Sequence, residues 1–122
     1  MKTKDLMIGD YVQVSPSMMH IKIAAIHQGS VGYYGSNILN WVREALLKPI
    51  ELTPEILIKN GLKPQNTGFF DEDIRGEFEI SIENNNIYWT INFWEYSILK
   101  LNYVHELQHI LKLYEIEKEI KL

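Results

Sequence analysis

Tyr103-Val104-His105-Glu106-Leu107-Gln108-His109-Ile110-Leu111, close to the C-terminus, is the stretch around which the rest of this chain is read. It contains His-Glu-x-x-His, which on the helix of a zinc hydrolase sets two imidazoles one turn apart as ligands and the glutamate beside them as general base. The competing reading is a structural helix. At about 100° per residue, Val104, Leu107, Leu111 and Tyr114 fall on one stripe with Tyr103 and Ile110 at its edges, a core-facing pattern. His105 and His109 lie opposite that stripe, so the wheel predicts imidazoles turned away from the interior. Leu113, Ile116 and Ile120 continue the histidine side as an apolar row, which implies a change of direction near Tyr114 or contact with a partner.

Chance and ligand supply weigh against zinc. With four histidines in 122 residues, a random match to the motif is about a 1% event, so structural context must decide. A catalytic zinc takes three protein ligands and an open water position. Only thirteen residues follow His109, none of them His, Asp or Cys. Upstream, His20, His27 or a carboxylate are the available donors, and the chain has no cysteine. No cofactor is therefore expected. A zinc-dependent hydrolase, with His105 and His109 on the metal and Glu106 as base, is the alternative.

Composition sets the frame. With 46% apolar residues, residues 1–122 suffice for one compact core and not for two substantial domains. No segment approaches the roughly 20 apolar residues of a membrane span, and no export signal is legible, so a cytoplasmic protein without membrane contact is expected. Net charge is −4 with lysines scattered among acids. That disfavours nucleic acid as a partner, because phosphate neutralisation needs a basic surface.

In chain order, residues 6–14 place a Gly9-Asp10 turn before an alternating run, residues 20–25 form a second strand, and Gln28-Gly29-Ser30 turns into a third. Residues 37–48 read as a short helical turn followed by an edge strand holding Pro49. These features predict a small SH3-like β-barrel over residues 1–52. Tyr33, Tyr34 and Trp41 are its candidate ligand-groove residues, able to stack a nucleotide or oligonucleotide, although such aromatic sets more often belong to a core.

Residues 53–122 hold the remaining elements. Thr53 is an N-cap, Pro54 suits the first helical position, and Gly61 supplies a left-handed cap. The short helix between them must pack Ile56, Leu57 and Ile58 on a sheet. After a polar connector at 63–68, Phe78, Ile80 and Ile82 alternate with Glu77, Glu79 and Glu83, Asn84-Asn85-Asn86 turns the chain, and Ile87 to Trp94 returns. Asp71-Glu72-Asp73 lacks the ligand spacing of a calcium loop. Ile98 to Leu101 leads to a helix beginning near Asn102.

Three stretches, residues 6–12 with Leu-x-Ile-Gly-Asp-Tyr-Val, Lys48-Pro49-Ile50-Glu51-Leu52-Thr53-Pro54-Glu55-Ile56-Leu57 and Tyr103-Val104-His105-Glu106-Leu107-Gln108, resemble a family of small uncharacterised bacterial proteins of prophages and mobile elements. The resemblance spans nearly the whole chain and implies a mobile-element context without an activity. Members of that family carry Tyr-Val-His-Gln-Leu-Gln-Asn in the last helix, so Glu106 and His109 depart from the pattern.

The expected fold is α+β, an SH3-like barrel followed by a short capped helix, a β-hairpin layer and a C-terminal amphipathic helix. The expected role is a non-catalytic protein-binding or assembly module, with a protein partner or a second copy of itself. Tyr88 and Trp94 on the hairpin's outer face, with Leu113, Ile116 and Ile120, form the expected interface.

Overall fold

A computed structural model of the protein describes residues 1–61, 63–65, 68–70, 79–83, 86–91, 94–113 and 115–122, with the backbone alone at 63–65, 68–70, 79, 81–83, 90, 91 and 94–99. The fold is a small α+β arrangement of mostly antiparallel strands with few helices. Among the described residues no helix is long and apolar enough to cross a membrane. Two compact units share the chain: Met1–Ile50 with Tyr103–His109, and Glu51–Asn102 with Ile110–Leu122.

The first unit holds two three-stranded sheets. β1 (Tyr11–Val14) lies between β2 (Met19–Lys22) and β6 (Leu47–Pro49), and β4 (Ser30–Gly35) lies between β3 (Ala25–His27) and β5 (Ile38–Arg43). Pro49 opposes Val12. Ile23 bonds Asp10 through its N–H and Gly9 through its C=O, so by ladder alternation Val12 turns its backbone groups to β2 and needs nothing from proline. Leu6, Val12, Ile21, Ile23, Val31 and Leu47 form the core, with Val14, Tyr33 and Val42 against it. Each such buried aliphatic contributes about 1.5–3 kcal/mol.

The helical turn expected at 37–48 is instead strand β5, followed by one 3-10 turn at Glu44–Leu46. Ser36 (φ 53°) and Asn37 (φ 64°) are both left-handed, and Gly35 pairs with Ile38 around them. Two left-handed residues between paired strands make the mirror-image turn whose twist suits a tight hairpin. The Ser-Asn pair is a weaker turn signal than Asn-Gly, which let the helical spacing of the apolar residues dominate the sequence reading.

In the second unit, α1 (Pro54–Lys59) starts where expected. Ile56 N–H donates to Thr53 Oγ1 at 3.3 Å, and Gly61 follows at φ 81°. Leu57 is buried but Ile58 is exposed, a correction that follows from geometry, since three consecutive helical residues span too wide an arc to share one face. The five-stranded sheet runs β11 (Trp94–Leu101), β10 (Asn86–Ile91), β9 (Glu79–Glu83), β8 (Gly68–Phe70), β7 (Lys63–Gln65), an antiparallel meander that includes part of the stretch expected to be a connector. Ile80, Ile87 and Trp89 are buried, as the alternation predicts, and so is Leu101. Glu77, Phe78, the acidic run 71–73, Asn84, Asn85 and Tyr114 lie outside the described residues.

The last helix, α2 (Val104–Leu113), ends in a left-handed stop. Ile116 N–H reaches Leu111 C=O at 2.8 Å, Glu115 N–H reaches Lys112 C=O at 3.1 Å, and Glu115 sits at φ 57°. This pair of bonds is the Schellman motif, with glutamate where glycine is usual, and it supplies the change of direction that the sequence implied. Beyond it, the Asn60 amide donates to Lys121 C=O at 2.8 Å and accepts from Lys121 N–H at 2.6 Å. A side-chain amide thereby acts as a strand partner for the terminal segment, and Ile120 beside it is 1% exposed.

Candidate functional site

The residues of the His-Glu-x-x-His stretch each have a structural partner or seat within the first unit. Tyr103 occupies the N-cap of α2. Its C=O accepts from Leu107 N–H, and its N–H donates to Glu106 Oε1 at 2.9 Å. Glu106 is thus the third helical residue reaching back to the cap, one half of a capping box. The Val104 N–H, another helix-end donor, is taken by Ile50 C=O at 2.9 Å. Glu106→Gln is accordingly expected to keep stability within about 0.5 kcal/mol, because glutamine accepts the same bond. A larger loss on chemical denaturation would contradict the capping role.

Gln108 extends the β1 ladder beyond the point where β6 stops. Its Oε1 accepts from Tyr11 N–H at 2.9 Å and its Nε2 donates to Gly9 C=O at 2.9 Å. The next residue completes the clamp. His109 Nε2 lies 2.6 Å from Asp10 Oδ2, which also accepts from Met7 N–H at 2.8 Å. Asp10 is 2% exposed and His109 keeps partial access to solvent. The Gly9 φ of 98° lets the chain turn here and present Asp10 inward.

His105 is buried. Its ring stacks on Tyr103 (centroids 5.9 Å, planes 9° apart) and meets His109 edge-on at 5.6 Å. Its Nδ1 is shielded from solvent with no hydrogen-bond partner. Burial holds its pKa below the usual imidazole value, with His109 adding to the depression and the carboxylates of Asp10, Glu106 and Asp5 opposing it. This overturns the expectation that both imidazoles turn away from the interior. The helical wheel assumes one buried face, whereas the Gly9-Asp10-Tyr11 turn covers the histidine side of this half-helix. No local signal revealed this, because the partners stand 97 and 99 residues apart.

The arrangement differs from a metalloprotease centre. Among the described residues no group of three or more His, Cys, Asp or Glu side chains is placed to hold a metal ion. Glu106 is folded back onto the cap, and the nitrogen of His109 nearest a carboxylate is hydrogen-bonded to it. A carboxylate–imidazole pair can orient a general base, but neither imidazole lines the groove beside β2.

That groove, of about 640 Å³, is lined by Ile8, Met19, His20, Ile21, Tyr33 and Tyr34 among others. Ile8 (63% exposed), Met19 (45%) and Tyr34 (68%) leave apolar surface open on its rim. Of the three groove residues expected from sequence, Tyr33 and Tyr34 border it. Trp41 does not: it pairs with Gly32 on the outer face of β4–β5, its ring 3.4 Å from where a Gly32 Cβ would stand. Sequence reasoning missed Ile8 and Met19, for which unpartnered apolar residues beside a turn are the available signal.

The expected interface is not assembled as a set. Tyr88 is half-buried on β10, Trp94 is placed by its pairing with Ile91, Leu113 is 72% exposed and Ile116 is partly buried. Ile120 is withdrawn into the second unit's core beside the Asn60 clamp and is unavailable to a partner. No protein-family model, no curated protein and no solved structure matches the chain.

Proposed function

We propose that this is a non-catalytic protein-binding module of a mobile-element type, whose first unit is an opened SH3-like barrel that takes an extended segment of a partner protein into the groove beside β2. The observation that carries this reading is the meeting of an apolar groove with the edge strand of a sheet. β2 is an edge strand in the order β2-β1-β6. The Ile23 bonds to Gly9 and Asp10 set the alternation, which directs the His20 backbone groups away from β1, towards the groove. An extended peptide adds to such an edge through main-chain bonds and fills the groove with alternate apolar side chains. Zinc hydrolysis has less support, because Glu106 is engaged in capping. Tyr34 and Trp41 share an outer face by register, but a chain of net charge −4 offers little field for a phosphate backbone.

An array of linear peptides with alternating apolar residues tests the proposal. Binders should lose at least about tenfold in affinity to an Ile8→Asp or Tyr34→Ala variant, equivalent to roughly 1.4 kcal/mol, with an unchanged unfolding midpoint. The same peptides N-methylated at alternate residues should fail to bind. Binding indifferent to both changes would remove the groove as the site, and sedimentation showing a dimer that Ile8→Asp dissociates would replace the partner with the chain itself.

A further inference from the structure

We propose that the first two turns of α2 and the Gly9-Asp10-Tyr11 turn form an acid-operated latch, in which a proton taken up at His105 expels that ring from its seat and releases Gln108 and His109 from the turn. The inference stands on the placement of the groups. A neutral His105 with its hydrogen on Nε2 leaves only a lone pair at the shielded Nδ1, a tolerable vacancy. A charged His105 would put an N–H donor there, where no acceptor is present and no water reaches.

The groups facing His105 do not relieve that charge. Asp10, from the turn, already accepts from Met7 N–H and pairs with His109, and Glu106, on the same helix, accepts from Tyr103 N–H. Asp5, from the 3-10 turn at Thr3–Asp5, adds a weaker attraction, and His109, its ring 5.6 Å away, works against a positive charge on His105. Tyr103 stacks on the ring and contributes no acceptor to Nδ1.

The direction of the pH dependence follows. Because folding lowers the affinity of His105 for a proton, the unfolded or unlatched form binds more protons below the ordinary imidazole value of 6.5. The latch is at full strength above that pH and weakens as pH falls through it towards the lowered folded value. His105, Gln108 and His109 sit in consecutive turns, so displacing the first loosens the two side chains that hold Tyr11 N–H, Gly9 C=O and Asp10. Ile8 and Gly9 also border the groove, but the latch does not depend on what binds there.

Hydrogen exchange read residue by residue tests it. The Tyr11 amide, held by Gln108, should lose about tenfold in protection between pH 7.5 and 5. The Asn60 amide, bonded to Ile56 C=O in the second unit, should keep its protection. His105→Phe, which retains a stacked ring without a proton site, should flatten the Tyr11 response, whereas His109→Asn, which retains a donor to Asp10, should preserve it. If His105→Phe does not fold, imidazole NMR titration of the unmodified chain decides, with Tyr11 release tracking His105. A flat Tyr11 profile, a response surviving His105→Phe, or release that tracks His109 would each overturn the latch.

Discussion

Asp10→Ala is expected to lower the unfolding free energy by about 2–3 kcal/mol, because one buried carboxylate oxygen is the acceptor for two separate donors. Asp10 is 2% exposed, and one of its oxygens serves both Met7 N–H at 2.8 Å and His109 Nε2 at 2.6 Å. Removing it leaves the Met7 N–H and the partly exposed His109 nitrogen without their acceptor, and a donor left unsatisfied costs on the order of 1–3 kcal/mol where solvent is kept out. Asp10→Asn keeps an acceptor while losing the charge, and should cost about 1 kcal/mol. Urea unfolding followed by intrinsic fluorescence separates the two, with the midpoint falling and the slope unchanged. A loss under 0.5 kcal/mol for the alanine variant would mean that backbone geometry alone holds the turn.

Leu107→Ala should be comparably damaging. This residue, 1% exposed, occupies a variable position of the His-Glu-x-x-His pattern, and truncating a fully buried leucine costs about 2–5 kcal/mol in transfer and cavity terms. For a chain of this size, a loss near 3 kcal/mol corresponds to a melting temperature lower by about 10 °C. Leu113→Ala, at a position 72% exposed on the same helix, should change stability by less than about 0.5 kcal/mol. Equal effects at the two positions would show that the helix is rotated from the orientation described.

Much of the local structure was legible in the residues themselves. The cap at Thr53, the left-handed Gly61, the alternation that buries Ile80, Ile87 and Trp89, and the stripe of Val104, Leu107 and Leu111 all arise from contacts within a few residues or one period. Periodicity reports which positions are apolar on one side of an element. It cannot report how many sides another part of the chain covers, and His105 is where that distinction matters. The same limit hid Ile120, whose burial accompanies an amide clamp from Asn60 sixty-one residues away. The stretch 37–48 failed for a local reason, a Ser-Asn turn whose two left-handed residues carry no glycine to announce them.

By itself, then, the order of residues determined the α+β class, the limits of the short helix α1 and the apolar stripe of the last helix, because capping and periodicity act over one or two turns. Only the tertiary structure decided what Glu106, Gln108 and His109 do. Their partners in space are a cap N–H, two backbone groups of a distant turn and a buried carboxylate. Short-range hydrogen-bonding geometry assigns those roles once the chain has brought the groups together, and separation along the sequence carries no record of it.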